Sequence, residues 1–152
     1  MVSRNQYPVR PFGAPSALLI VLFTLPSICP GQQIHDVTVT GTDYAFGVPI
    51  IDRGLTAFSF ENRGQVRHEM LLVRLKVGVT PDSLMRANPG RERRNLMEGG
   101  GLLIAEPGQR TLDRLLADLL PGRTYMLLCN LRDQPDQPQH VALGMFASFQ
   151  AK

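Results

Sequence analysis

Apolar residues in this chain come in short runs, interrupted at brief intervals by glycine and proline. Turn signals stand at Gly47-Val48-Pro49, Arg53-Gly54, Asn62-Arg63-Gly64, Pro107-Gly108 and Pro121-Gly122. The runs between them have strand length and partly alternate. Residues 36–42 put Val37 and Val39 on one face, and residues 55–62 set Leu55, Ala57 and Ser59 opposite Thr56, Phe58 and Phe60. Side chains of a strand point alternately to its two faces, so alternation of this kind lays one face on a core. Residues 70–77, 125–129 and 143–149 complete the set. Short strands divided by Gly/Pro turns predict an all-β sandwich or barrel.

Three segments depart from that pattern. Thr80 followed by Pro81 supplies a cap and a first-turn proline, which predicts a short helix over 80–85. Residues 111–120 are ambiguous, because Leu112, Leu115, Leu116 and Leu119 also match helical spacing. Residues 86–100, with Asn88-Pro89-Gly90 and the glycines that begin at Gly99, read as a long loop insertion. Such excursions often flank or cover sites.

The N-terminus has the pattern of an export signal. Arg4 and Arg10 precede a short apolar stretch over 17–28, and the small residues Cys29 and Gly31 suit a cleavage point before Gln32. The stretch is shorter than the roughly 20 apolar residues a membrane span needs. Cys29 makes a poor lipid-anchor site, since bulky Ile28 precedes it. The expected organisation is therefore a cleaved leader over 1–31 and one domain over 32–152, released to a periplasmic or extracellular space. The whole chain carries a formal charge of +3, but two of its basic residues lie in the leader. What remains is almost neutral, and no nucleic-acid or membrane-surface reading survives. Arg91, Arg93 and Arg94 form a local basic cluster, read as solvated surface with docking of an acidic partner as the second option.

Beyond the leader one cysteine is left, Cys129. A lone thiol is unusual in an oxidising compartment, where it would be paired or oxidised, and ligation of a metal would protect it. His140 and Met145 follow within one short stretch, and His68 stands upstream at the head of an apolar run. A thiolate, two imidazoles and a thioether are the ligand set that suits copper in an electron-transfer centre. Taken singly, each residue has a plainer reading: a buried small hydrophobe, core filler, a surface histidine. Their common order and context favour ligation. His35 has no such company and reads as a surface residue.

The Asn62-x-Gly64 turn before His68, the Pro121-Gly122-x-x-Tyr125 approach to Cys129 and the His140-x4-Met145 ending resemble the cupredoxin family, which includes the plastocyanin- and azurin-like blue copper proteins. The resemblance runs from about Val37 to Phe149 and implies a Greek-key β-sandwich with one copper ion near one end. It implies that His68 and His140 donate ring nitrogens, Cys129 its thiolate and Met145 a weak axial contact. It also implies an exposed edge of His140 as the electron port, with Met70, Phe46 and Phe146 excluding water. The chain departs from the family in placing ten residues between Cys129 and His140, where few are usual. The insert 132–138 is expected to bulge outward. Glu69 takes the place of an amide after His68, where its carboxylate would alter hydrogen bonding near the thiolate.

No hydrolase or phosphate-cradling motif is present, and His68-Glu69 fails as a zinc-protease motif because Leu72 stands where its second histidine belongs. No catalytic residue is assigned, and the expected function is electron transfer with a redox partner protein. Copper delivery to an acceptor, copper resistance, and a metal-free interaction module remain open alternatives.

Overall fold

The computed structural model describes residues 33–152. The leader expected over 1–31 lies outside the described residues. Eight strands form two four-stranded sheets. The first contains β1 (His35–Thr42), β2 (Ala45–Gly47), β3 (Gly54–Asn62) and β6 (Leu115–Leu119) in the order β2-β1-β3-β6. The second contains β4 (His68–Leu75), β5 (Met97–Ala105), β7 (Thr124–Leu128) and β8 (Phe146–Gln150) in the order β5-β4-β7-β8. β1 runs parallel to β3, and every other pairing is antiparallel.

The alternation seen in the sequence builds the space between the sheets. Val37, Val39, Phe58 and Phe60 from the first sheet meet Met70, Leu72, Leu103, Tyr125 and Leu127 from the second, all buried. β4 and β7 are apolar on both faces. Their other face, with Val73, Leu75, Met126 and Leu128, packs on Leu84 and Val141. Leu84 belongs to α1 (Pro81–Arg86), which forms as expected. Its Thr80 side chain accepts from the Ser83 backbone N–H, the Ser83 hydroxyl lies in hydrogen-bond reach of the Thr80 N–H, and Pro81 opens the first turn.

The rest of the insertion differs from the loop expected. Residues 91–95 form α2 (Arg91–Asn95), with Arg91 and Arg94 exposed and Arg93 donating to the Met85 and Ala87 carbonyls. The glycines are not loop at all. Gly100 and Gly101 pair with Val73 and Leu72 inside β5, next to a register shift at Val73/Arg74. A Cβ on Gly101 would fall 2.1 Å from Leu115 Cδ1, so the bare backbone lets β6 of the opposite sheet come close.

The ambiguous stretch resolves as strand. Leu115–Leu119 pairs with β3, whose edge would otherwise be open, and Leu112 is fully exposed. A helix of ten residues is marginal without a partner face, whereas the ladder satisfies both backbones. The last strand begins later than expected. His140–Leu143 is a 3-10 turn closed by Gly144 at φ 107°, and β8 starts at Phe146.

Tyr125 fastens the turn that precedes it. Its hydroxyl oxygen accepts from the Leu120 N–H at 2.8 Å, and its ring stacks on Phe149 at 5.4 Å. This holds the Pro121-Gly122 corner and aims β7 toward Cys129.

Candidate metal centre

The four residues singled out from the sequence sit at one end of the sandwich, and all four are buried. His68 is the first residue of β4, where it pairs with Ala105. It is delivered by the 62–67 turn, which the fully buried Asn62 side chain holds together. Asn62 Oδ1 accepts from the Gly64 N–H at 2.9 Å, while its Nδ2 donates to the Val66 carbonyl at 2.8 Å and the Ala105 carbonyl at 3.0 Å. Asn62→Ala would remove the side-chain partner of three backbone groups, two of them in buried bonds. We expect it to cost about 3 kcal/mol of stability in denaturant unfolding.

Cys129 follows the last residue of β7 and is tied to the other C-terminal residues through backbone groups. The Cys129 N–H donates to the Met145 carbonyl at 3.2 Å and the Val141 N–H to the Cys129 carbonyl at 2.7 Å. The His140 N–H reaches the Leu131 carbonyl at 2.8 Å and the Met145 N–H the His140 carbonyl at 2.9 Å. These bonds fix the two ends of the insert, so its length does not displace the residues it separates.

The donor atoms converge. His68 Nδ1 and His140 Nδ1 are 3.1 Å apart, and Cys129 Sγ lies 3.3 Å from His140 Nδ1 and 3.9 Å from His68 Nδ1. One ligand atom from each of the three residues lies within 4.8 Å of the other two. Met145 is fully buried beside Gly41, where a Cβ would fall 2.7 Å from the Phe60 ring and 3.3 Å from Met145 Cε.

Burial pushes the Cys129 thiol above its ordinary value, against the pull of the Glu69 and Leu131 amides. Burial likewise holds the His68 imidazole below its ordinary value, against the attraction of Asp43. His68 Nε2 has no hydrogen-bond partner, and Asp43 Oδ1 stands 3.5 Å from it. Two imidazoles and a sulfur facing one another, shut off from water, are a donor set in want of a cation.

Three expectations about the surroundings need correction. The tip of the insert, residues 134–138, is exposed as anticipated, but Asp133 at its root turns inward. Its carboxylate Oδ1 lies 2.8 Å from His140 Nε2, and its Oδ2 accepts from the Tyr44 hydroxyl at 2.8 Å. The His140 edge is therefore closed, with the residue only 1% exposed, and is no open port.

Phe146 is no water-excluding wall, being 41% exposed, because the late start of β8 turns it outward. Met70 is buried, and Phe46 packs on Phe60 at 6.0 Å. The Glu69 carboxylate, whose charge adds to burial in raising the thiol, enters the hydrogen bonding beside the sulfur without bonding to the sulfur itself. It accepts from the Asn130 backbone at 2.8 Å and the Asn130 side chain at 3.1 Å, while the Glu69 backbone N–H is what points at Cys129 Sγ, at 3.4 Å.

Tyr44 and Asp133 escaped the sequence reading. The Tyr44 ring stands edge-on to His140 at 5.2 Å and to His68 at 6.4 Å. The Tyr44 hydroxyl holds the Asp133 carboxyl below the usual carboxylate range, and the His140 imidazole adds to this. Nothing in the sequence separates Asp133 from the exposed Asp136 three residues on. His35, as expected, lies away from this cluster, paired with Thr56 near the start of β3.

The two-sheet sandwich with a buried His/Cys/His cluster at one end is the cupredoxin fold. No family model matches the chain, and no curated protein sequence does. Solved structures do. Auracyanin A, a "blue" copper protein from the green thermophilic photosynthetic bacterium Chloroflexus aurantiacus, is 16% identical, with a TM-score of 0.50 over 79% of this chain and 100% of its own. Auracyanin B is 17% identical, with a TM-score of 0.50 over 82% of this chain and 93% of its own. Among the described residues, no helix is long and apolar enough to cross a membrane.

Proposed function

We propose that the chain is an exported one-electron carrier holding a single copper ion between His68, Cys129, His140 and Met145. The observation that carries this reading is the buried convergence of two imidazole Nδ1 atoms and a thiol sulfur within 4.8 Å of one another. The copper named for auracyanin A supports it further. Copper, when bound, supplies the exchange of one electron between Cu(II) and Cu(I).

The protein's own part is to hold the donors still. His68 is rooted in a paired strand and Cys129 directly follows one, and the backbone bonds among Cys129, His140 and Met145 leave those residues little freedom. The Glu69 N–H steadies the sulfur at 3.4 Å, and the core around Met70 and Phe60 keeps water away. Complete burial of Cys129 favours a carrier over a delivery protein, since an acceptor could not reach the sulfur to exchange ligands. Export is supported by the leader pattern and by the solitary thiol. The partner is a redox protein that delivers or removes one electron.

Titration of the chain with Cu(II) tests the reading. The expected result is uptake of one equivalent with a strong visible thiolate-to-copper band that bleaches and returns on reduction and reoxidation. A colourless protein with no stoichiometric uptake sinks it.

A further inference from the structure

The two imidazoles are not held alike. Asp43 Oδ1 is engaged by the Gln65 N–H at 2.8 Å and stands 3.5 Å from His68 Nε2, which is left without a hydrogen bond. Asp133, in contrast, meets His140 Nε2 at 2.8 Å, and its second oxygen is taken by Tyr44. A neutral imidazole carries one N–H and one lone pair, so a carboxylate at Nε2 places the proton there. The lone pair is then left on Nδ1, the atom 3.3 Å from Cys129 Sγ and 3.1 Å from His68 Nδ1.

Tyr44 sits in a turn at φ 66°, the one positive φ among the described non-glycine residues. That conformation is unfavourable for a bulky side chain, and here it coincides with the contact to Asp133 and the packing on both rings.

We infer that Asp133, braced by Tyr44, is a positioning residue that locks His140 in the tautomer with Nδ1 free for copper, and that it shuts the outer edge of this imidazole against exchange. The root of the long Cys129–His140 insert thereby acts on the site, while its tip stays in solvent. The inference rests on the copper reading above, but its first readout needs no metal. A carboxylate accepting from Nε2 also strengthens donation from Nδ1, which favours Cu(II) over Cu(I).

The experiment compares the chain with Asp133→Ala, Asp133→Asn, Tyr44→Phe and, as control, Asp136→Asn. Asp133 is a loop residue with its side chain 24% exposed, and asparagine has its shape, so that variant keeps the fold. In the metal-free protein, nitrogen NMR of His140 is expected to show the proton on Nε2. Loss of a charge-assisted hydrogen bond in Asp133→Ala should lower that preference about tenfold or more. Asparagine, whose carbonyl oxygen still accepts, restores most of it, Tyr44→Phe gives a smaller loss, and Asp136→Asn gives none.

With copper added, Asp133→Ala should bind Cu(II) about tenfold more weakly. If Cu(I) binding is unchanged, that tenfold raises the reduction potential by about 59 mV. A wild-type proton on Nδ1, or an Asp133→Ala variant with unchanged tautomer, overturns the inference. A tautomer that shifts as expected in a chain that takes up no copper upholds the lock and removes the copper reading alone.

Discussion

Cys129→Ser is expected to abolish the visible band and to weaken copper binding by more than about 100-fold, beyond what loss of a supporting residue costs. The sulfur is the soft donor of the set, 3.3 Å from His140 Nδ1 and 3.9 Å from His68 Nδ1, and serine offers a neutral hydroxyl in its place. The fold should survive. Serine is close in size, and its oxygen can accept from the Glu69 N–H that now approaches the sulfur at 3.4 Å. The strand ladder and the Val141-to-Cys129 backbone bond do not involve the side chain. Unfolding by denaturant should therefore differ by only about 1–2 kcal/mol, the usual cost of an imperfectly satisfied buried hydroxyl. Absorption spectra and copper titration of the two proteins check the first part, and the unfolding midpoint checks the second. Equal copper uptake would mean that Cys129 is a buried spectator.

Gly64→Ala is expected to damage the fold and the site together. A Cβ at this position would lie 2.4 Å from Asp43 Oδ1, 2.9 Å from His68 Nε2 and 3.2 Å from Asn62 Oδ1. None of these atoms can retreat freely. Asp43 Oδ1 receives the Gln65 N–H, Asn62 Oδ1 receives the Gly64 N–H, and the His68 ring is backed by Tyr44 and His140. Forcing one methyl into a packed region typically costs about 1–3 kcal/mol. The displaced His68 ring should lower copper affinity by about 10–100-fold, as loss of a ligand's supporting contacts does. Chemical unfolding and copper titration read the two effects separately. A variant of wild-type stability and affinity would show that the turn can shift without moving His68.

The sandwich was legible because its inner faces are written in alternation. Val37 and Val39 on β1, and Phe58 and Phe60 on β3, point inward as their spacing says. The candidate site was legible because few residue types can do the chemistry and only one cysteine lies in residues 32–152. What escaped depends on partners distant in sequence. Residues 115–119 became a strand because β3 offered them an edge, a fact their own leucine spacing does not carry. The glycines of β5 read as loop because the close approach of Leu115 comes from another sheet. The contact of Asp133 with Tyr44 spans 89 residues, and only the folded loop brings them together. Phe146 misled for a local reason: the turn closed by Gly144 delays β8 and points that ring outward.

The covering of β4 and β7 on both faces bears on how the site behaves in time. One side of these strands meets the first sheet and the other meets Leu84, Val141 and their neighbours. Strands walled in twice are the last to open when a protein breathes, because loosening them means parting two packed layers at once. His68 begins one of these strands and Cys129 directly follows the other. The candidate site is thus anchored in the most persistent part of the molecule, and Leu84 of α1 serves as a buttress for the strands that carry it.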